Sequence, residues 1–178
     1  MMRAVKLRKL ATSATVAIAV LLWPLARPVA GQERPSPAAE FAAGALLFAD
    51  DGVVREGFVG GAARFYVLPR ISVGPELAYI RGHNHSHLML TGNVTIDFLG
   101  PVNGEPRPVT PFAVVGAGLF QNRESFPGGP FTSSEGAFTA GGGVRALVGK
   151  RVTVGAEARI GWELHIRLNG TIGVRLGR

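Results

Sequence analysis

The sequence predicts an all-β protein, an eight-stranded antiparallel up-and-down transmembrane β-barrel preceded by a signal peptide. Three observations lead there. From Glu40 onward apolar residues recur at every second position, with no sustained 3.6-residue period. The connections between these alternating stretches are short at one end and longer at the other. A basic, then apolar, then small-residue leader opens the chain.

The leader comes first in the chain. MMRAVKLRKL is followed by ATSATVAIAVLLWPL and then by ARPVAGQ, where Ala30 and Gly31 suit a signal peptidase. The apolar run is shorter than the ~20 residues that a spanning helix needs. Residues 1–31 therefore read as a cleaved signal peptide, 32–39 as a short polar lead-in and 40–178 as the barrel. The leader also accounts for most of the formal charge of +7, because Arg3, Lys6, Arg8, Lys9 and Arg27 lie in it and no acid does. The rest carries fourteen bases against twelve acids, a net +2, which removes the case for a nucleic-acid partner. Cysteine is absent, so disulfides, thiolate metal sites and a cysteine nucleophile are excluded. Hydrophobic residues make up 47% and charged residues 17%, against roughly 25% charged in an average soluble domain.

Strands are expected over 40–48, 57–67, 71–81, 86–98, 111–121, 136–148, 151–162 and 164–176, each long enough to cross a bilayer at a tilt. The last two show the pattern most clearly. Val152, Val154, Ala156, Ala158, Ile160 and Trp162 share one face, opposite Thr153, Gly155, Glu157, Arg159 and Gly161. Leu164, Ile166, Leu168, Ile172, Val174 and Leu176 likewise oppose His165, Arg167, Asn169, Thr171 and Arg175. Pro75 removes a ladder hydrogen bond from the third strand and predicts a bulge there. LPR (68–70) and GKR (149–151) are tight turns, QNRESFPGGPFTSSE (121–135) is a long loop, and GPVNGEPRPV (100–109) is an extended loop at the short-turn end.

In a membrane barrel the oily face points outward and aromatics mark both lipid interfaces. That orientation places Phe41, Phe65, Phe98 and Phe112 in a girdle at the short-turn ends, and Tyr79, Phe120, Phe138 and Trp162 in a second at the loop ends. Inside, Gly60, Gly141, Gly143, Gly155 and Gly161 leave room for Arg64 and for a charge network of Arg145, Glu157, Arg159 and Arg167, with Glu76 reaching in from across the barrel. An eight-stranded interior is just wide enough for side chains to fill it, so these charges must pair. Glu157 is the expected shared partner of at least two of the arginines.

PFAVVGAGLF, then GAFTAGGGVRALVGKRVTVGAEARIGW, then a final strand ending TIGVRL resemble the outer-membrane β-barrel domain family, small eight-stranded barrels similar to outer-membrane protein A. The resemblance covers roughly residues 40–178. It implies the outer membrane of a Gram-negative bacterium, contact with outer-membrane lipid and assembly by the barrel insertion machinery, but no single activity. Chains of that kind usually end in an aromatic, whereas this one ends Leu176, Gly177, Arg178.

The chemical candidates are few. GGGVRA (141–146) has the loose glycine pattern of a dinucleotide fingerprint but sits in a strand and opens no helix, so no cofactor is expected. Some eight-stranded outer-membrane barrels are lipid A deacylases or acyltransferases, and here Ser86 lies between His85 and His87, with Glu76 or Glu163 as acids to orient a base. The chain reads His-Ser-His, however, without the His-x-Ser spacing of the deacylases. His83, His85 and His87 are weak candidates for a zinc or copper site at the loop-end rim, set against the plainer reading of a polar strand end leaving the bilayer. The expectation is a monomeric, non-catalytic barrel with a structural, adhesive or surface-contact role. A lipid-modifying enzyme or a narrow channel is the alternative.

Overall fold

A computed structural model describes residues 34–50, 52–82, 85–102, 107–126, 129–161 and 165–177. The leader, His83, Trp162, Glu163 and Leu164 lie outside the described residues. The period-two alternation becomes eight strands: β1 (Ala38–Asp50), β2 (Gly52–Leu68), β3 (Ile71–Arg81), β4 (His85–Asp97), β5 (Val109–Phe126), β6 (Gly129–Val148), β7 (Val152–Gly161) and β8 (His165–Arg175). Each pairs antiparallel with the next, and β8 returns to β1 with Ile172 opposite Phe41, closing the barrel. Closure is what a strand-built membrane protein requires, since lipid offers no partner to an open edge.

The outer wall is oily. Val59, Leu77, Leu90, Val115, Leu119, Ile160, Leu168 and Ile172 are all exposed, while Glu76, Thr91, Asn93, Thr95, Asp97, Arg145, Glu157, Arg159 and Arg167 are buried. This reverses the arrangement of a soluble barrel and fits lipid outside and polar groups within. Phe41, Phe65 and Phe98 face outward toward the chain-termini end, and Tyr79 and Phe138 face outward in the other half.

Phe112 and Phe120 correct the girdles, because both are buried inside the barrel. Their strand is apolar on both faces, so alternation alone could not orient it. Pairing decides: Phe112 lies opposite Asp97, Gly116 opposite Asn93 and Phe120 opposite Met89. Directly opposed residues share a face, and the face of Asp97 and Asn93 is the interior.

Two further expectations change. The ladder between β3 and β4 keeps one register past Pro75, which sits opposite Gly92, and the irregularity between β2 and β3 falls instead between Tyr66 and Leu68. Pro75 points outward and interrupts pairing only toward β2, so no bulge forms there. Residues 121–126 and 129–135 form no loose loop: β5 and β6 continue as a paired ladder to Phe126 opposite Gly129. Beyond the lipid both faces of a hairpin meet water, so the apolar alternation that signals a strand disappears while the backbone pairing persists. Residues 129–138 of β6 pair with β5 but, among the described residues, not with β7, whose ladder ends at Thr139 opposite Gly161.

At the opposite end, the connection after β4 bends at Phe98 and Leu99 and is tied down by Phe98 N–H donating to Pro111 O (3.0 Å) and Leu147 N–H donating to Pro108 O (2.8 Å). Residues 103–106 of that connection lie outside the described residues.

A closed ladder of this kind resists detergent until heated. Purified protein run on a gel in dodecyl sulfate should therefore migrate differently before and after boiling; identical migration contradicts the closed barrel.

Candidate functional site

The interior is filled in layers. Nearest the chain termini, Arg64 donates from Nε and Nη2 to the two carboxylate oxygens of Glu40 (2.8 and 2.6 Å) and from Nη1 to the Tyr66 hydroxyl (3.1 Å). Tyr66 in turn donates to Asp97 Oδ2 (3.0 Å), and Asp97 is also ion-paired with Arg145. The Arg145 guanidinium lies 4.2 Å from the Phe112 ring centroid. That contact gives the inward Phe112 a role: a flat face beneath a buried cation, worth roughly 0.5–2 kcal/mol.

The middle layer spans the lumen. Arg159 on β7 and Arg167 on β8 stand directly opposite one another on adjacent strands, a like-charge arrangement that is unfavourable by itself. Two carboxylates resolve it. Glu157, two residues before Arg159 and on the same face, accepts from Arg159 Nε (2.7 Å), Arg159 Nη2 (2.9 Å) and Arg167 Nη2 (3.0 Å). Glu76 reaches over from β3 on the far wall to Arg167 Nη1 (2.5 Å) and Arg159 Nη1 (2.9 Å), and Asn93 Nδ2 donates to it at 2.6 Å. Two positive and two negative groups thus share one buried compartment. Glycine makes the room: a Cβ on Gly141 would lie 2.9 Å from Arg159 Cγ, and one on Gly143 would lie 3.0 Å from Phe112 Cζ.

Of the expected network, Glu76, Glu157, Arg159 and Arg167 are brought together, and Arg145 is not. It belongs to the layer below because Asp97, at the end of β4, is nearer its own level. The partners that the sequence reading left unassigned are Glu40, Tyr66 and Asp97. Inward parity was their only signal, and parity does not say which of several inward groups meet.

Above the charges sits an apolar layer of Leu46, Phe58, Ala78, Ile80, Met89, Phe120 and Ala137, all buried. Phe58 bridges the two layers, its ring centroid 4.9 Å from the Arg167 guanidinium.

The histidine rim lies beyond. His85 and His87 share the inner face of β4 with ring centroids 4.9 Å apart, and Phe120 stacks on His87 at 4.8 Å. Glu56 joins them from β2, with a buried carboxylate ion-paired to His85 and 3.6 Å from His87 Nε2. His165 is buried on the same rim, its ring 5.5 Å from Phe48. Glu56 was missed in the sequence because its strand was expected to begin at residue 57. Ser86 alternates to the face opposite His85 and His87, and Glu76 lies in the middle layer, so among the described residues His85, His87, Ser86 and Glu76 assemble no nucleophile–base–acid array.

No family model matches the chain, and no curated protein matches it. Solved structures do. Neisserial surface protein A (NspA) superposes with a TM-score of 0.68 at 12% identity, covering 79% of this chain and 97% of that one. The N-terminal β-barrel domain of Pseudomonas aeruginosa OprF gives 0.59 at 11% identity, covering 80% and 100%. Ail, the attachment invasion locus protein of Yersinia pestis, gives 0.51 at 12% identity, covering 80% and 98%. At these identities the likeness concerns the fold: the chain has the architecture of small eight-stranded outer-membrane barrels.

The middle layer yields a prediction. Glu157→Gln leaves two guanidiniums facing one carboxylate and should cost about 3–5 kcal/mol, read as a lower urea midpoint for the detergent-folded protein. Adding Arg159→Met restores neutrality and should recover part of the loss, whereas adding Arg145→Met should lower the midpoint further by depriving Asp97. An unchanged midpoint for Glu157→Gln would contradict the inward placement of this face.

Proposed function

We propose that the protein is a monomeric, non-catalytic barrel of a Gram-negative outer membrane, exported through its cleaved leader and inserted by the barrel insertion machinery, and that it acts by surface contact through the β5–β6 hairpin. The observation that carries this reading is the reach of that hairpin. The ten residues 129–138 run on past the described β7 ladder, a length of about 33 Å along the strand. They present Phe131, Thr132, Ser134, Glu135 and Phe138 exposed. A large apolar side chain on a strand edge is a natural docking element for another chain or surface.

The filled interior supports this reading over a channel, since the charge layer and the apolar layer above it occupy the lumen. The separation of Ser86 from the rim histidines supports it over acyl-transfer chemistry. Two of the structural neighbours carry names in keeping with a surface role, a surface protein of Neisseria and an attachment invasion locus protein of Yersinia pestis.

The test is to replace residues 122–133 with an Asn-Gly turn, which suits a two-residue hairpin, joining Gln121 to Ser134. Cells displaying the parent should attach to cultured epithelial cells above the empty-vector level. Cells displaying the shortened barrel, with its heat-dependent gel mobility intact, should fall back to that level. Equal attachment by parent and shortened protein, or no attachment by the parent, overturns the proposal.

A further inference from the structure

Every interior carboxylate among the described residues but one has a guanidinium partner: Glu40 has Arg64, Asp97 has Arg145, and Glu76 and Glu157 share Arg159 and Arg167. The exception is Glu56. Its side chain is only 1% exposed, it faces His85 and His87, and its Oε2 accepts no hydrogen bond. A buried carboxylate oxygen without a donor is costly, and Glu56 Oε2 is such an atom.

We propose that Glu56, His85 and His87 form a zinc site at the loop-end rim of the barrel. The three residues offer two imidazole nitrogens and one carboxylate oxygen within 4.8 Å of one another, a donor set typical of zinc sites that keep a position open. The 3.6 Å between Glu56 Oε2 and His87 Nε2 is too long for a hydrogen bond. It is close to the separation that two metal bonds of about 2.0–2.1 Å subtend at a single ion. His85 Nε2, in contact with Glu56 Oε1, is the third donor, and an ion would take the place of that contact.

The local sequence builds this arrangement. His85 and His87 lie two apart on β4 and so share the inner face, while Glu56 must reach them past the end of β3. There the chain carries Gly82, where a Cβ would collide with both the His85 ring and the Glu56 carboxylate. Gly82 N–H donates to His85 O at 3.1 Å, which ties the end of β3 to the start of β4 beside the histidines. Phe120 stacked on His87 and Phe48 at 6.2 Å form an apolar wall, and such a shell limits water and strengthens metal binding. The His85 side chain, 31% exposed, leaves an entry path from outside. Three protein ligands leave room on the ion for water or for a donor group from whatever the surface meets.

The probe is zinc chloride, titrated calorimetrically into tag-free, chelator-washed protein folded in detergent. The parent should show one saturable event at one ion per chain. Glu56→Gln and His87→Gln should each weaken it by at least roughly tenfold, the lower end of what loss of even a supporting outer group costs. His85→Gln, altering the most exposed ligand, provides a variant whose folding is least at risk, and it should weaken binding similarly while keeping the heat-dependent gel mobility. A parent that gives no saturable event overturns the proposal. So does a folded Glu56→Gln or His85→Gln protein that binds zinc as tightly as the parent.

Discussion

Two carboxylates held between two guanidiniums, Glu76 and Glu157 against Arg159 and Arg167, set the conditions under which the rest of this barrel can exist. Lipid outside forbids charge within the band it covers, so Glu76 on β3, Glu157 and Arg159 on β7 and Arg167 on β8 have only the lumen to occupy. Once there they are buried, and each must be neutralised by another. The opposition of Arg159 and Arg167 on neighbouring strands is tolerable only because Glu157 bridges them from the same wall and Glu76 from the far one. The network therefore ties β3 to β7 and β8 across the lumen as well as along the ladder.

The other interior features follow from the same restriction on space. Glycines at 141 and 143 give up side chains so that Arg159 and Phe112 can lie flat against the wall. Phe112 and Phe58 each back a guanidinium, and the cluster from Leu46 to Phe120 separates the charged compartment from the histidine rim. Each acid below that cluster has an arginine in reach, and Glu56 above it has histidines instead. The rim is therefore chemically different from the layers beneath, with imidazoles where they have guanidiniums.

Much of this was legible in the chain. The alternation in β7 and β8 is strict, with charge on one side and aliphatics on the other, and it orients both strands without ambiguity. Glu157 as the bridge between two arginines follows from parity and the distance between strands. In β5 both faces are apolar, and only its register against Asp97 and Asn93 shows that Phe112 and Phe120 turn inward. The hairpin beyond Gln121 was invisible because a strand with water on both sides has no hydrophobic period. The rim cluster was half legible: His85 and His87 announce themselves two apart, while Glu56 comes from a strand whose outer end lies beyond the last alternating apolar residue. Its link to the histidines depends on the gap at Gly82, a fact of three dimensions. Arg145 shows the remaining limit, since a shared face narrows the partners of a charge without choosing among them.

The central claim is that this chain is turned inside out, with oil outward and paired charge inward. The absence of cysteine allows it to be tested strand by strand, with single cysteines placed along β8, nitroxide-labelled and examined in lipid bilayers by electron paramagnetic resonance. Labels at 166, 168, 172 and 174 should collide freely with dissolved oxygen and little with a water-soluble nickel chelate. Labels at 165, 169, 171 and 173 should be shielded from oxygen. A reversed pattern, or oxygen accessibility with no period of two, would contradict the account.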